Sequence, residues 1–347
     1  MASIRLAVIG AGSWGTALAL HLRHRGHHVR LWVHGDETLR AFQKHQENVR
    51  YLPGIPLPKD LHVTGDLEEA LHNVDGVIVA IPSRHLRTTL HQYRSTFESC
   101  PARWFISTTK GIEPQRFRRM SEVIRDELPF LREEQVLVLS GPSFARELAE
   151  GKPTAVVIAG KNPEYLAQTQ QIFSGGPLRV YRQSDIIGVE LGGALKNVIA
   201  LAAGIISGRN LGHNALAALI TRGLVEMIRF TTALGARPET LYGLAGMGDL
   251  VLTCTGPLSR NRTVGYRLGL GESLDAIMQD MPMAVEGIPT ALAVRDWAKR
   301  LQIEMPIVQA VTGVIHEGKT VESMVRFLLE RPLKEEFERS PFAKDEP

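Results

Sequence analysis

The sequence predicts an α/β fold in which an N-terminal parallel-sheet domain, residues 1–184, is followed by an all-helical domain, residues 185–335, and a polar tail, 336–347. Three observations predict it. Short apolar runs alternate with helical patterns as far as residue 182, which is how a parallel sheet covered by helices reads. After Asp185 the strand pattern stops and long segments of helical period replace it. A chain of 347 residues, 44% hydrophobic and 22% charged, is long enough for two cores and too apolar for global disorder.

The strand runs are IRLAVI, HVRLWV, LHVT, GVIVAI, WFISTT, QVLVLS, TAVVIAG and LRVYR. Between the second and third lies YLPGIPLP, where Pro53, Pro56 and Pro58 preclude regular structure and imply a fixed loop. Helical segments are expected at 186–207, 214–234, 273–281, 290–301 and 307–316. The run 186–206 approaches membrane-spanning length, but Glu190, Lys196 and Asn197 are costly in hydrocarbon, so a buried helix of a soluble protein is expected. A strand beginning at Ile4 leaves no room for an export signal.

Net charge is +3 with basic and acidic residues interspersed, which gives no case for nucleic acid and leaves local sites for a small anion. Two cysteines far apart, Cys100 and Cys254, build neither a disulfide framework nor a thiolate metal site and favour a reducing, cytoplasmic setting. His21, His24, His27 and His28 gather near a helix end that Gly26 closes. No carboxylate joins them, so a solvated helix end is expected and no metal.

Gly10, Gly12 and Gly15 stand in G-x-G-x-x-G spacing directly after the first strand and open a helix. Gly10 permits the tight turn, Gly12 lets a pyrophosphate approach the backbone, and Gly15 lets helix and strand pack closely, the Rossmann arrangement. Where a ribose-binding carboxylate is usual, the second strand ends in Trp32, Val33 and His34, with Asp36 slightly late. His34 and Arg30 suit a 2′-phosphate or are simply solvated, so NAD and NADP both stay open.

Lys196 shares a helix face with Val189, Gly192, Gly193, Ile199 and Ala200. Two interior glycines cost roughly 1 kcal/mol each against alanine, so a substrate or another backbone must come close there. A lone lysine more often snorkels to solvent. In a cleft with apolar walls, however, desolvation lowers its proton affinity toward acid–base use near neutrality. Further on, LAGMGDLVLTCTGPLSRNR sets Asp249 and Thr253 before Ser259, Arg260, Asn261 and Arg262, read as a polar loop in which Arg260 offers phosphate a planar fork. Lys110 and the pair Gly141 and Ser143 end two further strands, where ligands bind in such sheets.

With these blocks in place the chain resembles the bacterial NAD(P)-dependent glycerol-3-phosphate dehydrogenases. GAGSWGTALA, YLPGIPLP, AIPSRHLR, TTKGIE, LSGPSFARELA, GVELGGALKNVIALAAG, GMGDLVLTCTGPLSRNR and VEGIPTA stand in that family's order over nearly the whole length. The resemblance implies reversible reduction of dihydroxyacetone phosphate to sn-glycerol 3-phosphate for phospholipid synthesis, by a Rossmann domain followed by a helical substrate domain, in a homodimer. It implies Lys196 as proton donor and acceptor. Around the substrate it sets Lys110, Gly141, Ser143, Asn197, Asp249, Thr253, Ser259, Arg260 and Asn261. On the cofactor it sets Ser13, Trp14, His34, Lys110, Ala145, Arg260, Ala284 and Glu286, beside Gly10, Gly12 and Gly15. Ile288 stands where many members carry an aromatic residue. Two rivals remain at this level. One is a dehydrogenase of the same plan acting on a hydroxy acid carboxylate. The other is a non-catalytic dinucleotide sensor, which has no use for Lys110 together with Lys196.

Overall fold

The structure is a computed structural model that describes residues 3–281 and 283–336, so most of the expected polar tail, 337–347, lies outside the described residues. All eight expected runs are strands of one sheet: β1 (Arg5–Ile9), β2 (His28–Trp32), β3 (His62–Thr64), β4 (Gly76–Val79), β5 (Trp104–Ser107), β8 (Val136–Ser140), β9 (Thr154–Ala159) and β10 (Leu178–Gln183). Between β5 and β8 a small antiparallel ribbon, β6 (Ile112–Glu113) and β7 (Arg118–Arg119), was not foreseen. The sheet order is β10-β9-β8-β5-β4-β1-β2-β3.

The sheet is not parallel throughout. β9 runs antiparallel to β8, with Val138 opposite Ala159 and Ser140 opposite Val157. The connection between them holds only the five-residue helix Ala145–Ala149 and turns back at Gly151, where φ is 78°. A parallel return needs a longer helical crossover. β10 regains a parallel pairing with β9 after the 11-residue helix Pro163–Phe173.

Alternation along the strands feeds two cores. Leu6, Val8, Leu31, Ile78 and Ile106 face one, and Ala7, Ile9, Val77, Val79 and Phe105 face the other. The 23-residue helix Ile186–Gly208 is the axis of the helical part, and 83% of its most apolar window is buried inside the protein. Asp185 caps it, accepting from Gly188 N at 2.9 Å and also from Arg237 N and Thr240 Oγ1. Its first turns lie on the sheet, where Ile186, Val189 and Ala245 pack with Val138, Val157 and Ala159. That contact carries Lys196 toward the carboxyl ends of β5 and β8.

Among the described residues of the helical part, four α-helices lie outside the expected segments, Pro238–Tyr242, Asp249–Thr255, Arg260–Gly269 and Val321–Leu329, as does the π-helical turn Leu244–Gly248. The stretch after Leu258, read as a polar loop, is instead a helix start. The face it buries is Asn261, Val264, Gly265, Leu268 and Gly269, only two of them large and apolar, so the hydrophobic stripe is thin. The packing is backbone on backbone: a Cβ on Gly265 would lie 2.0 Å from Leu201 O, and one on Gly204 2.1 Å from Arg262 O.

Candidate active site

The glycine loop is built as its spacing implies. Gly10 holds φ at 115°, and a Cβ there would meet Ala80 O at 2.6 Å; a Cβ on Gly15 would strike Gly10 O at 1.9 Å. Gly12, the N-terminal cap of the helix Ser13–His24, faces open space. The loop thus exposes bare backbone at the positive end of a 12-residue helix, the cradle that a pyrophosphate fits. Asn48 fixes the proline loop against it, donating to Ala11 O at 2.9 Å and Thr16 Oγ1 at 2.8 Å while accepting from Tyr51 N. Ser13 Oγ donates to Tyr51 O at 2.7 Å. Trp14 is half-buried on the sheet core beside them.

At the end of β2 the two candidate cations part. Arg30 donates to the His72 carbonyl, so its guanidinium is already engaged. His34 stays exposed, tilted against Trp32 with ring centroids 5.6 Å apart. Asp36 opens the next helix. Ala145 starts the short helix after β8, and Ala284 lies half-buried just before Glu286.

Lys110, 86 residues before Lys196 in the sequence, meets it across one carboxylate. Asp249 Oδ1 accepts from Lys196 Nζ at 2.5 Å and Asp249 Oδ2 from Lys110 Nζ at 2.6 Å. Lys196 Nζ also donates to Thr253 Oγ1 at 2.6 Å, whose own proton goes to Asp249 O. Lys110 Nζ also donates to Gly141 O at 2.9 Å, as does Ser143 Oγ. An ammonium has three donors; each lysine uses two, which leaves each one N–H. Lys196 is 6% exposed and Asp249 0%. Burial is the main force that pulls the Lys196 amine down to about 8; Asp249 opposes it, and neighbouring Lys110 adds to it.

The glycines beside Lys196 serve close packing. A Cβ on Gly192 would lie 2.6 Å from Ala245 O, and one on Gly193 2.5 Å from Ser140 Oγ and 3.5 Å from Lys110 Cγ. Another backbone and the stem of Lys110, rather than a ligand, occupy that face.

Asn261 ties the Arg260–Gly269 helix to this centre. Its Nδ2 donates to Asn197 Oδ1 at 2.9 Å and its Oδ1 accepts from Gly287 N at 2.9 Å. Ser259 Oγ caps that helix, accepting from Arg262 N at 3.2 Å. Both side chains are therefore engaged in holding the corner. Arg260, exposed at the first turn, makes no hydrogen bond or ion pair with the described residues. Glu286 is also engaged, since its two oxygens accept from Ser83 N, at 2.9 Å, and from Ser83 Oγ. Burial pushes its carboxyl up. The sequence reading missed Ser83 and Asn48. Ser83 was detectable as a hydroxyl after Pro82 where β4 gives way to a helix, but nothing local marks Asn48.

The two profiles that match the chain belong to one family. The profile described as NAD-dependent glycerol-3-phosphate dehydrogenase N-terminus matches residues 5–166, and the corresponding C-terminus profile matches 185–326. The chain is similar to the glycerol-3-phosphate dehydrogenase, NAD(P)+, of Acidobacterium capsulatum, 46% identical over 341 residues, with 96% of this chain and 99% of that one covered. A second relative so described, from Chlorobium phaeobacteroides, is 45% identical over 333 residues, covering 96% and 99%. Among solved structures, glycerol-3-phosphate dehydrogenase from Coxiella burnetii superposes with a TM-score of 0.89 at 40% identity, covering 95% of this chain and 99% of that one.

Proposed function

The chain belongs to the NAD-dependent glycerol-3-phosphate dehydrogenase family, and from that premise we propose how its own residues carry the reaction. The protein is an oxidoreductase acting on a CH–OH group, and it interconverts dihydroxyacetone phosphate and sn-glycerol 3-phosphate with NAD or NADP. When bound, the dinucleotide supplies or accepts the hydride at the substrate carbon. Gly10, Gly12, Ser13, Trp14, Gly15, His34 and Ala145 of residues 1–184 would hold it, together with Ala284 and Glu286 of residues 185–335. Residues 185–335 supply the proton chemistry.

Lys196 gives its free N–H to the ketone oxygen in reduction and takes the proton back in oxidation. Lys110 directs its own remaining N–H at the same oxygen and so stabilises charge developing there. Asp249 holds both amines in register, and Thr253 fixes the rotamer of Lys196. Arg260, with the amides of the helix it begins, receives the phosphate. Gly141, Ser143, Asn197, Ser259 and Asn261 shape the pocket wall.

The observation that carries this reading is the shared Asp249 carboxylate, with one uncommitted N–H on each lysine. Lys196→Ala is expected to lower turnover by about 10²- to 10⁴-fold, the scale of a general acid, with NADH affinity little changed. Near-normal turnover contradicts the assignment. Supply of glycerophospholipid synthesis, a cytoplasmic location and a homodimer belong to the same proposal and rest on the family resemblance.

A further inference from the structure

The chain just after Lys110 crosses from the sheet domain to the helices, and the catalytic reading leaves that crossing unused. Gly111 passes so close beneath the Ser83–Glu286 clasp that a Cβ there would lie 2.6 Å from Ser83 Cβ and 2.9 Å from Glu286 Oε2. Ile112, 1% exposed, belongs to the helical core. At the turn of the β6–β7 ribbon Phe117 holds φ at 51°, a region that a bulky side chain seldom enters. Its ring stacks on Trp297, centroids 5.7 Å apart and planes 23° apart, with the Arg300 guanidinium carbon 4.9 Å from its centroid. Trp297 in turn meets the fully buried Phe230 edge-on at 5.5 Å. The ribbon then returns to the sheet domain through Arg119 and Ser121. Both are held by Glu190 of the axial helix, Arg119 Nη1 at 2.7 Å and Ser121 N at 2.8 Å.

The helix Gly287–Arg300 is therefore gripped by the sheet domain at both ends, by Ser83 at its start and by Phe117 at its finish. We infer that the ribbon 112–119 is a latch, with Phe117 as its positioning residue, which fixes the angle between the domains and so holds Lys110 against Asp249. Without it, the chain after Lys110 is held only where Gly111 passes the Ser83–Glu286 clasp. This inference rests on the proposed roles of Lys110 and Lys196.

The latch has a signature that loss of stability alone does not have. The groups facing the Lys196 amine are Asp249, Thr253, Lys110 and Cys254. Of these, Lys110 is the cation that lowers its proton affinity. Loosening the latch draws Lys110 away, so the Lys196 amine should hold its proton to higher pH.

The test measures kcat for reduction against pH, beside NADH affinity by fluorescence, in Phe117→Ala, Phe117→Tyr and Arg300→Gln. Phe117→Ala is expected to lose roughly 10- to 100-fold in kcat, the cost of a small misplacement, with the midpoint of the pH profile moved upward and NADH affinity unchanged within about twofold. Phe117→Tyr restores both, and Arg300→Gln moves both in the same direction by less. Should Phe117→Ala fold poorly, Arg300→Gln carries the test. A folded Phe117→Ala enzyme with the parental kcat and midpoint overturns the latch, as does a fall in kcat that follows the folded fraction with no shift in midpoint. If Lys196→Ala stays active, the reading beneath the latch fails. If Lys196→Ala is inactive and Phe117→Ala behaves as the parent, the latch alone fails.

Discussion

At the scale of single residues, the proposed chemistry turns on the charge balance around Asp249. Two ammonium groups share one carboxylate, which leaves a net positive corner for a developing alkoxide, and burial brings one of the amines to about 8. In the proposed role of Lys196, reduction needs that amine protonated and oxidation needs it neutral. The kcat for reduction is therefore expected to be full below about 8 and to fall as pH rises through it, whereas the oxidation rate rises through the same range. Matching profiles in both directions contradict the role of Lys196. Asp249→Asn removes the group that raises the amine's proton affinity, so the midpoint for reduction should move to lower pH while kcat falls. Arg260→Ala should instead raise the KM for dihydroxyacetone phosphate and leave that for dihydroxyacetone nearly as it was. Equal effects on both substrates would remove Arg260 from the phosphate.

At the scale of elements, the site depends on how closely the axial helix can be approached. Gly265→Ala places a methyl group 2.0 Å from Leu201 O, a backbone atom that cannot swing aside, so the crossing must open. The expected cost is about 1–3 kcal/mol of stability, read as a lower thermal midpoint. Unchanged melting would mean that the crossing is looser than its glycines indicate. Gly271→Ala, whose Cβ meets only open space, isolates the effect of φ, which is 96° there.

The same elements show what was legible beforehand. The inner strands and the axial helix announce themselves by apolar runs, since both faces are buried, whereas the edge strand β10 shows instead as an alternation of buried and exposed residues. The helix Arg260–Gly269 does neither, because Val264 and Leu268 are its only large apolar contacts and glycine and asparagine make the rest. Its signal is instead the matched four-residue spacing of Gly204 with Gly208 and Gly265 with Gly269. The reversal of β9 depends on how short its connection is, and β6 and β7 have two residues each, too few for any period to show. For the site, Lys196, Asp249 and Thr253 were readable from their company. That Ser259, Asn261 and Glu286 are engaged by neighbours required the tertiary contacts.

At the scale of the whole molecule, two cores meet at the carboxyl ends of β5 and β8, and stability and catalysis respond to pH through different groups. His21 is 5% exposed with Nε2 against Phe173 O at 2.7 Å, and burial lowers its proton affinity. The unfolded chain then takes up the proton first, so this contribution is full above about 6.5 and declines as pH falls below it. Buried Glu226, pushed up to about 7 and accepting from Ile307 N, acts in the opposite sense: its contribution is full below about 4.5 and is lost as pH rises through 7. Comparison with His21→Gln isolates the histidine. The advantage of the parent over His21→Gln in thermal midpoint should shrink as pH falls from about 7.5 to 5.5. A constant difference would show that His21 does not titrate in folding.

The claim on which the account depends is that Lys196 is the proton donor to the ketone oxygen. Its most direct test is single-turnover oxidation of enzyme-bound NADH by dihydroxyacetone phosphate, followed across pH in the parent and in Lys196→Ala. The account predicts a parent rate that falls through a midpoint near 8, and a variant at least about 100-fold slower that binds NADH equally well and has no such inflection. A variant that keeps both the rate and the inflection would contradict it.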